Sequence, residues 1–167
     1  MTTETTTYGI KDVLLEQFKT EATAFVKALD GIDDEVFETA PSGGGHSPAW
    51  HALHIAEWTR LLLSDLAGEP AGGTFGFLGW EDQAWVKKLT GPTEATEQDG
   101  KPIVMYVLNR TFSQIGVALS ALASDRFTPD AKLRTPIGER PLIASVTGTV
   151  RHIAYHRGQV KIGQVHG

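Results

Sequence analysis

Leu14, Phe18, Ala22, Phe25 and Leu29 recur at three- and four-residue spacing, so the segment Ile10–Asp30 presents one continuous apolar stripe when wound as an α-helix. Gly31 follows where such a helix would stop. The same periodicity returns three more times. It runs from Pro48 to about Leu66 through Trp50, His54, Trp58 and Leu61. It runs again over about Pro102–Ser124, through Val104, Leu108, Phe112, Ile115, Leu119 and Leu122, and a last time over about Leu142–Gln164. Ser47 is placed to cap the second of these helices, and Pro48 suits its first turn, where a missing N–H is not needed. Four amphipathic helices bury their stripes against one another, and alternating apolar–polar strands are absent. The expected fold is all-α, a four-helix bundle.

The connections read as loops. Ser42-Gly43-Gly44-Gly45-His46 separates the first two helices, and Gly68-Glu69-Pro70 ends the second. Residues Ala71–Asp99 are irregular, with a short helical candidate at Trp80–Leu89. They are expected to form an excursion over the bundle between helices 2 and 3. Thr128–Pro141 holds two turn signals, Thr128-Pro129-Asp130 and Pro136-Ile137-Gly138.

A length of 167 residues fits a single domain, 1–167, with the Thr-rich Met1–Thr7 expected to be a flexible tail. The formal charge of −5 argues against a nucleic-acid partner. No Cys is present, which excludes disulfides, thiolate metal ligands and a cysteine nucleophile. No stretch reaches the roughly 18 apolar residues of a membrane span. The N-terminus lacks the pattern of a secretory signal, so a cytoplasmic location is expected.

The chemistry lies in the histidines. His152 and His156 are four apart on the fourth helix, roughly 40° apart around it and about 6 Å apart along it. Two imidazoles at this spacing can chelate one ion. The bland alternative is a pair of histidines satisfied by their neighbours. Two features favour the ion. The pair shares its face with Thr149 and Gln159 inside the most apolar helix, where polar groups are costly without a reason. The second helix also places His54 on its core stripe between Trp50 and Trp58. His51 lies about 60° to one side and is expected behind the ligands or at the rim. Three imidazoles leave a coordination position open, as catalytic sites do and structural zinc sites do not. Imidazole suits zinc, nickel, copper and iron alike, so ligand type alone does not choose the ion; zinc or nickel is expected. Glu57, three after His54, is either a base or orienting group, or a solvated helix carboxylate. His46 and His166 are expected at the surface.

The string His152-Ile153-Ala154-Tyr155-His156-Arg157-Gly158-Gln159 resembles the C-terminal signature of the DinB/YfiT-like metalloprotein superfamily. The segment from Ser47 to Glu57 is similar to that family's second helix, and Thr135–Pro141 to the turn before its last. The resemblance covers about Tyr8 to Gln164. It implies a bundle with up-down-down-up connectivity, one divalent metal ion on the matching histidines His54, His152 and His156, and frequent homodimers. It also implies kinship with metal-dependent enzymes that use low-molecular-weight thiols such as mycothiol or bacillithiol, and with a maleylpyruvate isomerase.

Of the remaining residues, Arg157 is expected to pair with a carboxylate on a neighbouring helix rather than with an anionic substrate. Gly158 suggests close helix approach. Gln159 could orient a ligand or close the pocket. Trp50 and Trp58 read as core aromatics, Trp58 beside the pocket. Trp80 and Trp85 are candidates for a lid or a dimer contact. The expected function is a metal-dependent enzyme acting on a small molecule, of the thiol S-transferase or isomerase type. Hydrolysis by metal-bound water and a non-catalytic metal-binding stress-response module are the alternatives.

Overall fold

A computed structural model describes residues 8–166, apart from the side chain of His166. The expected tail Met1–Thr7 and the expected surface position of the His166 side chain lie outside the described residues. Four long helices form where the apolar stripes lie: α1 over Ile10–Asp30, α3 over Pro48–Leu63, α5 over Lys101–Ala121 and α6 over Leu142–His166. Two short helices intervene, α2 over Asp34–Phe37 and α4 over Ala84–Leu89. Helix α1 packs on α5 and α6, and α3 packs on the same two helices from the other side. Phe18, Phe25, Leu29, Leu108, Leu119 and Leu142 are almost wholly buried in the shared core. Among the described residues, no helix is long and apolar enough to cross a membrane.

Helix α3 begins as expected. The Ser47 side chain accepts a hydrogen bond from the Trp50 N–H at 3.0 Å, and Pro48 opens the first turn. The helix ends in a 3-10 turn over Ser64–Ala67, closed by Gly68 at φ 100. It is buried on nearly every side from Ala49 to Leu63. One side meets α5 and α6, and the other lies under residues 71–99. That excursion has a small core of its own, in which Phe75, Leu78 and Val86 close over Leu61. The α4 helix starts at Ala84 rather than Trp80, because Gly79 and Trp80 adopt left-handed conformations with φ of 72 and 52.

Three sequence expectations are corrected. Strands are present: β1 (Lys132–Thr135) and β2 (Gly138–Pro141) pair antiparallel as a hairpin around Pro136-Ile137. Each arm is four residues, too short for an alternating pattern, and only Leu133 is buried. The hairpin is anchored by Arg134, whose backbone N–H and guanidinium both donate to Asp65. The loop after α1 contains α2, which buries Phe37. Gly158 is not a point of close approach, since an added Cβ there would meet nothing within 4 Å. The crowded glycine of α6 is Gly163, where a Cβ would stand 3.0 Å from Pro41.

Phe25 is fully buried and Ser47 caps the helix that carries His51 and His54. Phe25→Ala is expected to cost about 3–5 kcal/mol, and Ser47→Ala about 1 kcal/mol. Urea denaturation of both variants checks this ranking, and an equal or inverted cost would contradict the packing described.

Candidate metal centre

Opposed pairing of α3 with α6 brings four histidines together: His54 faces His152 while His51 faces His156. His54, His152 and His156 each offer a ring nitrogen, and these atoms lie within 4.8 Å of one another. His54 Nε2 and His152 Nε2 are 3.0 Å apart. Two nitrogens bound tetrahedrally to one ion at about 2.0–2.1 Å would stand about 3.4 Å apart. The His54–His152 pair is therefore within a few tenths of an ångström of the spacing that two ligands of one ion would have.

The protonation state of His54 follows from its neighbour. Its Nδ1 is 2.6 Å from the carbonyl oxygen of Phe77, which can only accept, so Nδ1 carries the proton and donates. Nε2 is left with a bare lone pair facing the group, the form a metal ligand needs. The Phe77 peptide is held in turn. Glu57 accepts hydrogen bonds from the N–H groups of Gly76 at 2.8 Å and Phe77 at 2.6 Å, one on each carboxylate oxygen. Glu57 is buried, not solvated, and is connected to His54 through this peptide. Burial pushes its pKa up, against the two amide bonds and the Arg60 guanidinium. Arg60 continues the clasp by donating to the carbonyls of Gly72 and Thr74 and lying over the Phe75 ring.

His51 does not join the three. It is buried behind His156, with its Nδ1 2.8 Å from His156 Nδ1. Burial, reinforced by the neighbouring imidazoles, pushes the pKa of His51 down to about 4, of His54 to about 3 and of His156 to about 2. Burial lowers that of His152 as well. Near neutral pH these rings are uncharged and can donate lone pairs.

The group opens into a cleft of about 950 Å³ between α3, α6 and the excursion. Trp58 lines it, with its indole N–H donated to the Leu78 carbonyl at 3.0 Å, and exposed Gln159 lines it from α6. Trp50 is stacked between His46 and His54, with ring centroids 3.6 and 4.4 Å away. His46 is exposed as expected, yet it sits at the cleft. Trp80 stands at the rim, whereas Trp85 packs edge-on behind it. Arg157 is absent from the lining and instead forms an ion pair with Glu21 of α1 at 3.0 Å. Thr149 is satisfied within its own helix by the Ser145 carbonyl. The sequence gives no sign of Phe77, whose part is played by its peptide group, or of Tyr155, whose ring stands edge-on to His156.

No curated protein matches this sequence. Among solved structures, the crystal structure of a conserved protein from Enterococcus faecalis is similar, with a TM-score of 0.60 at 15% identity. The match covers 93% of this chain and 95% of that one. At such identity the likeness concerns the fold alone. The family profile of the DinB superfamily matches residues 17–160, a span that contains every histidine of the cluster. By that match, the chain belongs to the DinB superfamily.

Proposed function

We propose that His54, His152 and His156 hold one divalent ion, which we take to be zinc or nickel, and that the protein is a metal-dependent enzyme of the thiol S-transferase or isomerase type. The observation that carries this reading is the convergence of three neutral imidazoles, one with its lone pair set by the Phe77 carbonyl, at the floor of an open cleft. His51 bonds to His156 instead of completing the group, which favours an open position for a reactant over a closed structural site. A bound divalent ion supplies the charge that favours the thiolate form of an incoming low-molecular-weight thiol. The protein's own residues hold the geometry: Phe77 orients His54, His51 orients His156, and Glu57 positions the Phe77 peptide.

We take the chain as a single domain that works as a homodimer on a small molecule in the cytoplasm, with its long helices running up, down, down and up. Several contacts support those directions. Asp30 at the end of α1 meets Lys101 at the start of α5, and Ser47 before α3 meets Glu97 just ahead of α5. The opposed pairs His51–His156 and His54–His152 run α6 against α3.

Elemental analysis of protein purified without a histidine tag is expected to find close to one ion per chain, lost in His156→Ala; undiminished stoichiometry in that variant would sink the assignment. Glu57→Gln should weaken metal affinity roughly tenfold or more while the fold persists, read by competition with a chromophoric chelator. An unchanged affinity would show that the clasp does not bear on the ligands.

The lowered imidazole pKa values also have a sign. An unfolded histidine titrates near 6.5, so below that pH the unfolded chain takes up protons that folded His51, His54 and His156 refuse. Glu57, raised by burial, acts in the opposite sense but is a single group. Chelator-treated protein should lose stability progressively as pH falls from about 6.5, in urea titrations at pH 7.5, 6 and 5. A midpoint that rises on acidification would contradict the neutral cluster.

A further inference from the structure

The β1–β2 hairpin lines no part of the histidine cleft among the described residues, yet Arg134 and Asp65 fasten it to the bundle. Its turn and its second strand enclose, with α4 and the tryptophans beside it, a second hollow of about 550 Å³. That size falls within the range of small-molecule sites. One wall is aromatic. Trp58, Trp80 and Trp85 stand edge-on to one another, with ring centroids 6.0, 6.2 and 6.2 Å apart. Ile137, from the hairpin turn, adds apolar surface. Trp80 is 63% exposed and is, among the described residues, the one non-glycine position with positive φ. A bulky residue in that conformation is unfavourable in itself and points to a role for the indole it displays. Two cations line the same hollow, Lys88 from α4 and Arg140 from β2, and no carboxylate is among the described residues around it. Several other basic side chains are consumed by structure: Arg110 pairs with Glu94, Arg134 with Asp65 and Arg157 with Glu21, while Arg60 donates to backbone carbonyls. Lys88 and Arg140 have no ion pair with a carboxylate among the described residues.

We propose that this second hollow binds an aryl carboxylate, with the ring against the indoles and the carboxylate at Arg140 and Lys88. A flat ring gains edge-on or offset contact with the tryptophans. The Arg140 guanidinium offers a planar fork that matches a carboxylate, and Lys88 adds a second charge on a flexible stem. Two exposed cations alone would hold an anion weakly, and an apolar hollow alone would not select for charge, so the two features together define the ligand. Trp58 and Trp80 line the histidine cleft as well, so the two cavities share a wall. The aryl carboxylate is then the non-reacting end of a substrate whose other end passes Trp80 towards the histidines, an assignment that rests on the reading of that group as the reacting centre. A divalent ion there favours the same sign of ligand charge as Lys88 and Arg140, so one anionic molecule suits both cavities.

Phenylacetate carries a ring and a charge, phenylacetamide the ring alone and acetate the charge alone. Each is titrated calorimetrically into the full chain as purified, without chelator. Phenylacetate is expected to bind roughly tenfold more tightly than either of the others, and less tightly as salt is raised. Lys88→Ala and Arg140→Ala should each weaken phenylacetate roughly threefold to tenfold and leave phenylacetamide unchanged. Arg140→Glu should invert the preference between the two, and Trp80→Ala should weaken both. Lys87→Ala, on α4 but outside the hollow, should change nothing. Circular dichroism of each variant reports folding. Phenylacetate binding no tighter than phenylacetamide or acetate overturns the proposal, as does an unchanged affinity in folded Arg140→Glu. Phenylacetate binding that survives in Lys88→Ala and Arg140→Ala but is lost in His156→Ala places the carboxylate at the metal centre and overturns it too. The metal content of His156→Ala is measured separately. Undiminished metal in that variant refutes the three-histidine assignment and leaves the hollow standing, whereas lost dependence on Lys88 and Arg140 with the metal result intact refutes this inference alone.

Discussion

Helix α3 is enclosed on both sides, and much of the rest of the molecule answers to that constraint. A helix that only joined a bundle could turn its polar side chains to water. Here the excursion covers the outer side, so His51, His54, Glu57 and Trp58 must find partners inside the protein. Each does. His54 and Trp58 donate to consecutive carbonyls, Phe77 and Leu78, while Glu57 accepts from two consecutive amides, Gly76 and Phe77. The irregular segment has no ladder to satisfy its backbone, and the buried helix has polar groups that need satisfying. Each meets the other's requirement. The excursion thereby becomes a fixed wall of the cleft, although its sequence is rich in glycine.

Much of this could be anticipated from the order of residues, and the limits are physical. The stripe from Leu14 to Leu29 and the Ser47-Pro48 start are local signals, and the helices form where these signals lie. His54 was separable from His51 because helical phase is a strong geometric rule, and the structure brings His54, not His51, into the three-membered group. Tertiary contacts are where that kind of inference ends. A carboxylate at Glu57 reads the same whether water or a folded-back peptide will surround it. The carbonyl of Phe77 leaves no trace in the side-chain code. The β1–β2 hairpin depends on Leu133 and on Arg134 reaching Asp65, a partner 69 residues away. Gly158 and Gly163 are alike as letters, and only the position of Pro41 distinguishes the roomy one from the crowded one.

The centre also shows a division of labour between order and cost. Burying several imidazoles side by side is tolerable only while they stay neutral, and neutrality is the state in which they can donate to an ion. Thr149 and Arg157, which sit in the same helix and look equally functional as letters, are consumed by structure: one by its own backbone, the other by Glu21. Among the described residues, the one non-glycine backbone in the left-handed region is Trp80, at the rim and not at a histidine.

The run from Glu57 through the Phe77 peptide to His54 makes the wall of the cleft and its floor parts of one cooperative unit. Whatever steadies the His54 ring must also steady the peptide it bonds, and linkage makes the effect mutual. The amides of Gly76 and Phe77 are thus natural reporters: their hydrogen-exchange rates register, from outside the cluster, whether the imidazole is engaged.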